Sequence, residues 1–122
     1  MKDGKVTWTI EWYQAHGAEP PLKSFLEGLT GRDKDEAIAV MELLEKWGNQ
    51  LRPPRSEPLG DGLFEWRGHQ VRIFYVFRPG RRIVLLDGMV KKQDKIPTRV
   101  LERVRGYQQE VRTKDAKAVR GP

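Results

Sequence analysis

Seven cations stand in or beside three sheet-forming runs: Arg67 and Arg72 flank one turn, Arg81 and Arg82 follow the next, and Lys91, Lys92 and Lys95 cluster where the last run ends. Arginine stays protonated at any working pH and offers a planar fork that fits phosphate oxygens, whereas lysine is a compact charge on a flexible stem. Held on strands, such groups keep fixed positions, and together they suit a polyanion. Arg67 and Arg72 have the chemistry to stabilise charge developing on a phosphate in a partly dehydrated groove. Lys91 or Lys92 can transfer a proton only if neighbouring cations favour its neutral form. His69, in the turn between the two arginines, is the one group beside these cations that ordinarily titrates near neutrality, although a polar residue is equally ordinary in a turn. Glu65 lies two positions before Arg67 and shares its side of a strand, either as an ion-pair partner or as half of a catalytic dyad. Arg72, between Val71 and Ile73, either joins this group or points to solvent from the outer face.

The elements that must position these residues are legible in the patterning. Residues 63–67, 71–77 and 82–90 are rich in Val, Ile, Phe, Tyr and Trp and are separated by Gly68-His69 and Pro79-Gly80, which predicts a three-stranded antiparallel meander. Tyr75 sits in the middle run and is assigned to the core, with base stacking as its alternative. Upstream, Val6 to Tyr13 alternates strictly, predicting a strand with Val6, Trp8, Ile10 and Trp12 on the core face and Thr7, Thr9, Glu11 and Tyr13 on the other. Pro20-Pro21 opens a short helix, Leu22 to Leu29. Asp33 caps a longer one, in which Ile38, Met41 and Leu44 form the apolar stripe with Ala37, Val40 and Trp47 on its flank. Asp35, Glu36, Glu42, Glu45 and Lys46 face out, and Gly48-Asn49 ends the helix. These two helices are expected to pack on one side of the sheet as scaffold.

Residues 51–62, LRPPRSEPLGDG, contain three prolines and two glycines and read as a loop that carries Arg52 and Arg55 toward the sheet. After the meander Pro97 restarts a helix with Val100, Val104, Tyr107 and Val111 as its stripe, and a basic tail from about Thr113 is expected to fray. The fold class that results is α+β: an N-terminal strand, a two-helix hairpin, the meander and a C-terminal helix.

A chain of 122 residues fits a single domain, 1–122. Its formal charge of +6 is unevenly spread: residues 1–50 carry 6 basic and 9 acidic groups, net −3, whereas residues 78–122 carry 13 and 5, net +8. A cationic C-terminal half is what a nucleic-acid-facing side requires, and a solvated tail is the bland alternative for residues 112–122. The absence of cysteine excludes disulfides and thiolate metal sites, and the two histidines, His16 and His69, lie too far apart in sequence to suggest a metal pair. No phosphate-loop or dinucleotide glycine fingerprint is present, and no apolar run reaches membrane-spanning length, so a cytoplasmic protein without metal or cofactor is expected.

The block Pro58-Leu59-Gly60-Asp61-Gly62-Leu63-Phe64-Glu65-Trp66-Arg67, then Arg72-Ile73-Phe74-Tyr75, then Arg82 to Lys92 ahead of Pro97 resembles the RelE/ParE toxin superfamily, and within it the phage-derived HigB-like (Gp49-like) branch. The order of elements resembles that superfamily over nearly the whole chain. The resemblance implies a type II toxin that cleaves mRNA in the ribosomal A site without a metal. In such enzymes the 2′-OH attacks the adjacent phosphorus, leaving a 2′,3′-cyclic phosphate and a 5′-OH. It carries site roles onto Arg67, Lys91 and Lys92; residue chemistry adds Arg72 and His69 as candidate catalytic residues, and Arg55, Arg81, Arg82 and Lys95 as candidate RNA contacts. It also implies a cognate antitoxin, typically bearing a helix-turn-helix DNA-binding domain, and a ribosome–mRNA target, with no membrane partner.

Two positions depart from the branch. Asp87 stands where members often have His, and Lys92-Gln93-Asp94-Lys95-Ile96-Pro97 replaces a Thr-Gln-Lys-Thr-Pro sequence. Asp87 is expected to hold Arg67 or Lys91 by a salt bridge, and Asp94 to stand in for the lost threonine cap. Two other functions share the architecture: a ParE-like inhibitor of DNA gyrase that does no catalysis, and an inactive phage-derived protein that retains the fold.

Overall fold

The computed structural model describes residues 7–93 and 95–120, with side chains through Lys114. In chain order the elements are β1 (Thr9–Trp12), α1 (Pro21–Glu27), α2 (Gly31–Trp47), a 3₁₀ turn (Gly48–Gln50), β2 (Ser56–Gly60), β3 (Leu63–Arg67), β4 (Val71–Arg78), β5 (Arg82–Val90) and α3 (Thr98–Arg120). One five-stranded sheet has the order β1-β5-β4-β3-β2, with β1 parallel to β5 and every other pair antiparallel. The expected meander is present in the expected runs.

Helices cover both faces of this sheet. On one face Leu22, Leu29, Ala37, Val40 and Leu44 of the α1–α2 hairpin region pack on Trp66, Ile73, Tyr75, Ile83 and Leu85. On the other, Val100, Val104 and Val111 of α3 pack on Leu63, Phe74, Val76, Val84 and Leu86, as the stripe predicts. The α3 backbone stays helical past Thr113 to Arg120.

Burial on both faces explains two corrections. Alternation sorts the residues of β1 onto two faces but does not say which face is covered. Trp8 and Ile10 pack toward the hairpin core, while Trp12, at the end of the strand, is 37% exposed. Tyr13, expected to face out, is buried against α3: its ring stacks on Tyr107 at 4.5 Å and its hydroxyl donates to Glu110 Oε1 at 2.8 Å. Burial and that bond push its phenol up to about 12. Val6 lies outside the described residues.

The α2 stripe is rotated from the expected one. Ala37, Val40 and Leu44 are buried, whereas Ile38 and Trp47 are exposed. Small Ala37 lets the helix approach the sheet closely, which selects this face over the bulkier Ile38 face. Thr30, not Asp33, is the N-cap residue, and Asp33 falls in the first turn, where a carboxylate favours the helix dipole. Gly48 ends α2 at φ 51, and a Cβ there would fall inside the indole of Trp8. The segment 51–62 is only partly loop, because Ser56–Gly60 forms the edge strand β2 against β3. Proline is tolerated there because an edge strand has one side free of ladder bonds, and the register shifts between Pro58 and Gly60.

Candidate functional site

At one end of the sheet the register lines up Arg67 with Arg72, and Arg72 with Met89, on the face that α3 covers farther along. β-alternation puts Glu65 on the same side as Arg67, two residues back. The Glu65 carboxylate is 2% exposed and each of its oxygens meets a different arginine. Oε1 accepts from Arg67 Nε at 3.0 Å, and Oε2 lies 3.8 Å from Arg72 Nε. Of the two readings of Glu65, the geometry is that of an ion pair, with Arg72 as a second partner.

Arg72 does not point to solvent. It is 8% exposed, and its Nη1 donates to the carbonyls of Gly68 at 2.8 Å and Val71 at 3.1 Å, so the guanidinium is fixed by its own turn. Arg67 is the freer of the pair, with 43% of its side chain exposed and Glu57 Oε2 at 3.8 Å from its Nη1. β5 continues the row: the Lys91 N–H donates to Gln70 O at 2.6 Å, which sets Lys91 beside the same turn. Gln93, Lys95 and Ile96, which follow β5, line the same hollow.

The result is a cleft of about 220 Å³ lined by Glu65, Arg67, Arg72, Met89, Lys91, Gln93, Lys95 and Ile96. Among these described lining residues four cations face one carboxylate, and that carboxylate is already shared between two arginines. An excess of fixed positive charge in a concave site attracts an anion more strongly than the same charges on an open surface. The chemistry of the donor set is that of a phosphate-binding groove.

The other expected site residues are placed elsewhere. Lys92 is exposed in the bend after β5 and does not line the cleft. His69 and Arg55 line a second concavity on the α2 side, together with Glu36 and Arg67. Arg81 and Arg82 lie at the far end of the sheet: Arg82 pairs with Arg78, six residues along β4 from Arg72, which at strand rise is roughly 20 Å. Arg81 sits 5.5 Å from the Trp8 ring and Arg82 pairs with Glu11 at 3.2 Å, so both serve the β1 end. Asp94 lies outside the described residues.

Sequence reasoning missed Glu36, which it turned outward. Its carboxylate instead accepts the backbone N–H groups of His69 at 2.6 Å and Val71 at 3.3 Å, tying α2 to the turn whose carbonyls hold Arg72. It also missed Glu57, because β2 was read as loop. A carboxylate within helical reach of a Gly-containing turn is a signal only once the turn's partner helix is known.

Asp87 holds neither Arg67 nor Lys91. Its Oδ2 lies 3.3 Å from the Arg103 guanidinium of α3, and its Oδ1 accepts the Gly88 N–H at 2.7 Å. The backbone register explains this: Asp87 opposes Phe74, two residues from Arg72, under the first turns of α3. Burial pushes the Asp87 carboxyl above the usual carboxylate range, against the Gly88 N–H and Arg103, which act the other way. A carboxyl raised by folding holds its proton more tightly in the native state, so its stabilising contribution is full below about pH 3.9 and is lost as pH rises through the folded value. Asp87→Asn keeps an acceptor for Gly88 and removes the titration. Its stability relative to the parent should therefore increase with pH across that window, as read from denaturant midpoints at stepped pH; a flat difference would refute it.

Among the described residues no group of three or more His, Asp or Glu side chains is placed to hold a metal ion, and no helix is long and apolar enough to cross a membrane. No curated protein matches the chain. Among solved structures, the crystal structure of the toxin–antitoxin complex RelBE2 from Mycobacterium tuberculosis is similar at 18% identity and a TM-score of 0.46, over 75% of this chain and 100% of that one. The family model described as "Phage derived protein Gp49-like (DUF891)" matches residues 24–106, a span that begins within α1 and contains α2, the meander and every described residue of the cleft. This chain belongs to the phage-derived Gp49-like family.

Proposed function

We propose that this protein is the toxin of a type II toxin–antitoxin system and that it cleaves ribosome-bound mRNA as a metal-independent endoribonuclease. The observation that supports this most directly is the convergence of Arg67, Arg72, Lys91 and Lys95 on one cleft over the buried Glu65. In the reaction the 2′-OH gives up its proton as its oxygen bonds to the adjacent phosphorus, and the bond to the 5′-oxygen breaks as that oxygen takes up a proton, giving a 2′,3′-cyclic phosphate and a 5′-OH. Negative charge builds on the non-bridging oxygens as this happens. Arg72, already locked by two carbonyls, stabilises that charge without reorganising, which is what makes a fixed donor effective. Arg67 stands at the mouth and grips the same phosphate by its fork. Glu65, with both oxygens engaged, orients the arginines, and Lys91 and Lys95 serve the proton and the flanking phosphates.

A toxin is silenced by a partner, and an acidic antitoxin segment is the chemistry that would cover this cleft. The test is to incubate the purified protein with mRNA-programmed ribosomes, map the cut ends, and assay gyrase supercoiling alongside. Cut mRNA with cyclic-phosphate ends supports the proposal. Inhibited supercoiling with intact mRNA would replace it with the gyrase reading, and neither effect from folded protein would favour an inactive relative.

Neutralising Lys91 and Lys95 together should lower the log–log salt slope of RNA binding by about 1.4, from roughly 0.7 per phosphate contact on a single strand. Arg81, at the other end of the sheet, is the control whose removal should leave the slope unchanged. A slope insensitive to both lysines would place the RNA away from the cleft.

A further inference from the structure

The cleft leaves Arg55, His69 and the N–H of the core residue Trp66 without a role, although all three residues lie at the same end of the sheet. They meet on the opposite face, where Glu36, Ala39 and Leu43 of α2 supply the far wall of a hollow of about 340 Å³. Its surfaces differ in kind. Trp66, Ala39 and Leu43 are apolar, and the Trp66 ring is flat, whereas Arg55, His69 and Glu36 bring both donors and an acceptor. The indole Nε1–H of Trp66 is the one buried side-chain polar atom without a hydrogen-bond partner among the described residues. A buried donor left without an acceptor is costly, and native proteins rarely keep one without a use for it. Glu36 makes the wall rigid, because its two bonds to the 68–71 turn fix the turn against α2. Arg67 lines this hollow as well as the cleft, so the two cavities meet at one residue.

We propose that the second hollow receives a nucleobase of the same RNA whose phosphate lies between Arg67 and Arg72, an inference that rests on the function proposed above. A nucleotide joins an anion to a flat, heteroatom-rich ring, and the two cavities offer complementary halves: cations on one side of Arg67, and an apolar, flat-walled slot with hydrogen-bonding edges on the other. Single-stranded RNA is bound in this way when a base is splayed from its neighbours and stacked on an aromatic or guanidinium plane. Arg55 or His69 supplies that plane at the mouth, and the Glu36 carboxylate, with lone pairs beyond those given to the backbone, can accept from an exocyclic amine. The hollow thus sets which nucleotide sits beside the scissile phosphate.

Ribosomes programmed with mRNA carrying a single abasic nucleotide on one or the other side of the cleaved bond test this directly. For the parent protein, the abasic mRNA at one of the two sides should raise the protein concentration for half-maximal single-turnover cleavage by about tenfold, the scale of a lost stacking contact. Ala39→Phe fills the hollow from an exposed helix position. It should cleave intact mRNA with the same raised half-maximal concentration and show no further loss on the abasic mRNA. Arg55→Lys keeps the charge without the planar fork and should narrow the difference between intact and abasic mRNA, which guards against misfolding of the phenylalanine variant. Equal half-maximal concentrations for intact and abasic mRNA in the parent would overturn the inference while leaving the nuclease reading in place. Failure to cleave any mRNA would overturn both.

Discussion

Arg67→Ala is expected to lower single-turnover cleavage of ribosome-bound mRNA by about 10² to 10³-fold while leaving the protein folded, the usual loss when one donor aimed at transition-state charge is removed. Folding should survive because Arg67 ends β3 with 43% of its side chain exposed, so its truncation leaves no core cavity. Glu65 would lose its shorter contact but keep Arg72, and the cleft would keep its other three cations. Arg67→Lys separates charge from shape, since it restores a cation without the fork. A rate near that of the parent for both variants would remove Arg67 from the chemistry and shift attention to Arg72 and Lys91.

Glu65→Ala should produce the largest loss of stability of any change in the site, about 3–5 kcal/mol, because it leaves the buried Arg72 guanidinium without its carboxylate. That is a large part of the 5–15 kcal/mol typical of a whole domain. Glu65→Gln retains two polar atoms and should fall between. The half-exposed Arg82–Glu11 pair provides the contrast, since Glu11→Ala should cost under about 1 kcal/mol. Urea unfolding of the three variants decides the matter, and a Glu65→Ala loss as small as that of Glu11→Ala would mean that the carboxylate does not organise the arginines.

The meander and the α3 stripe were legible in the sequence because each depends on a local period and a turn signal. Arg67, Arg72, Lys91 and Lys95 were legible as cations of the meander, but only within a wider set that also held Lys92, Arg81 and Arg82. What was not legible depended on pairing between distant segments. Arg81 and Arg82 carry the same charge as Arg67, and only the direction of β5 puts them at the other end. His69 follows Arg67 closely in sequence, yet the turn sends it to the opposite face. Three prolines hid β2, because the rule against proline in a strand holds only where both edges are paired. The inward faces of Glu36 and Tyr13 came from helices that cover each side of the sheet, which a period of two or 3.6 does not reveal.

The parallel pairing of β1 with β5 sets an order on assembly during synthesis. Thr9 must wait for Arg82 and Trp12 for Leu85, whereas the β3–β4 and β4–β5 hairpins close between near neighbours. Contacts between distant residues form late because the intervening loop must first be closed. The wall of the cleft formed by Gln93, Lys95 and Ile96 comes later still in the chain than any strand. A nascent chain emerging from the ribosome therefore presents Arg67 and Arg72 before it has the wall that encloses them. Until residues 93–96 follow, those two arginines stand on an open sheet edge and not in an enclosed site.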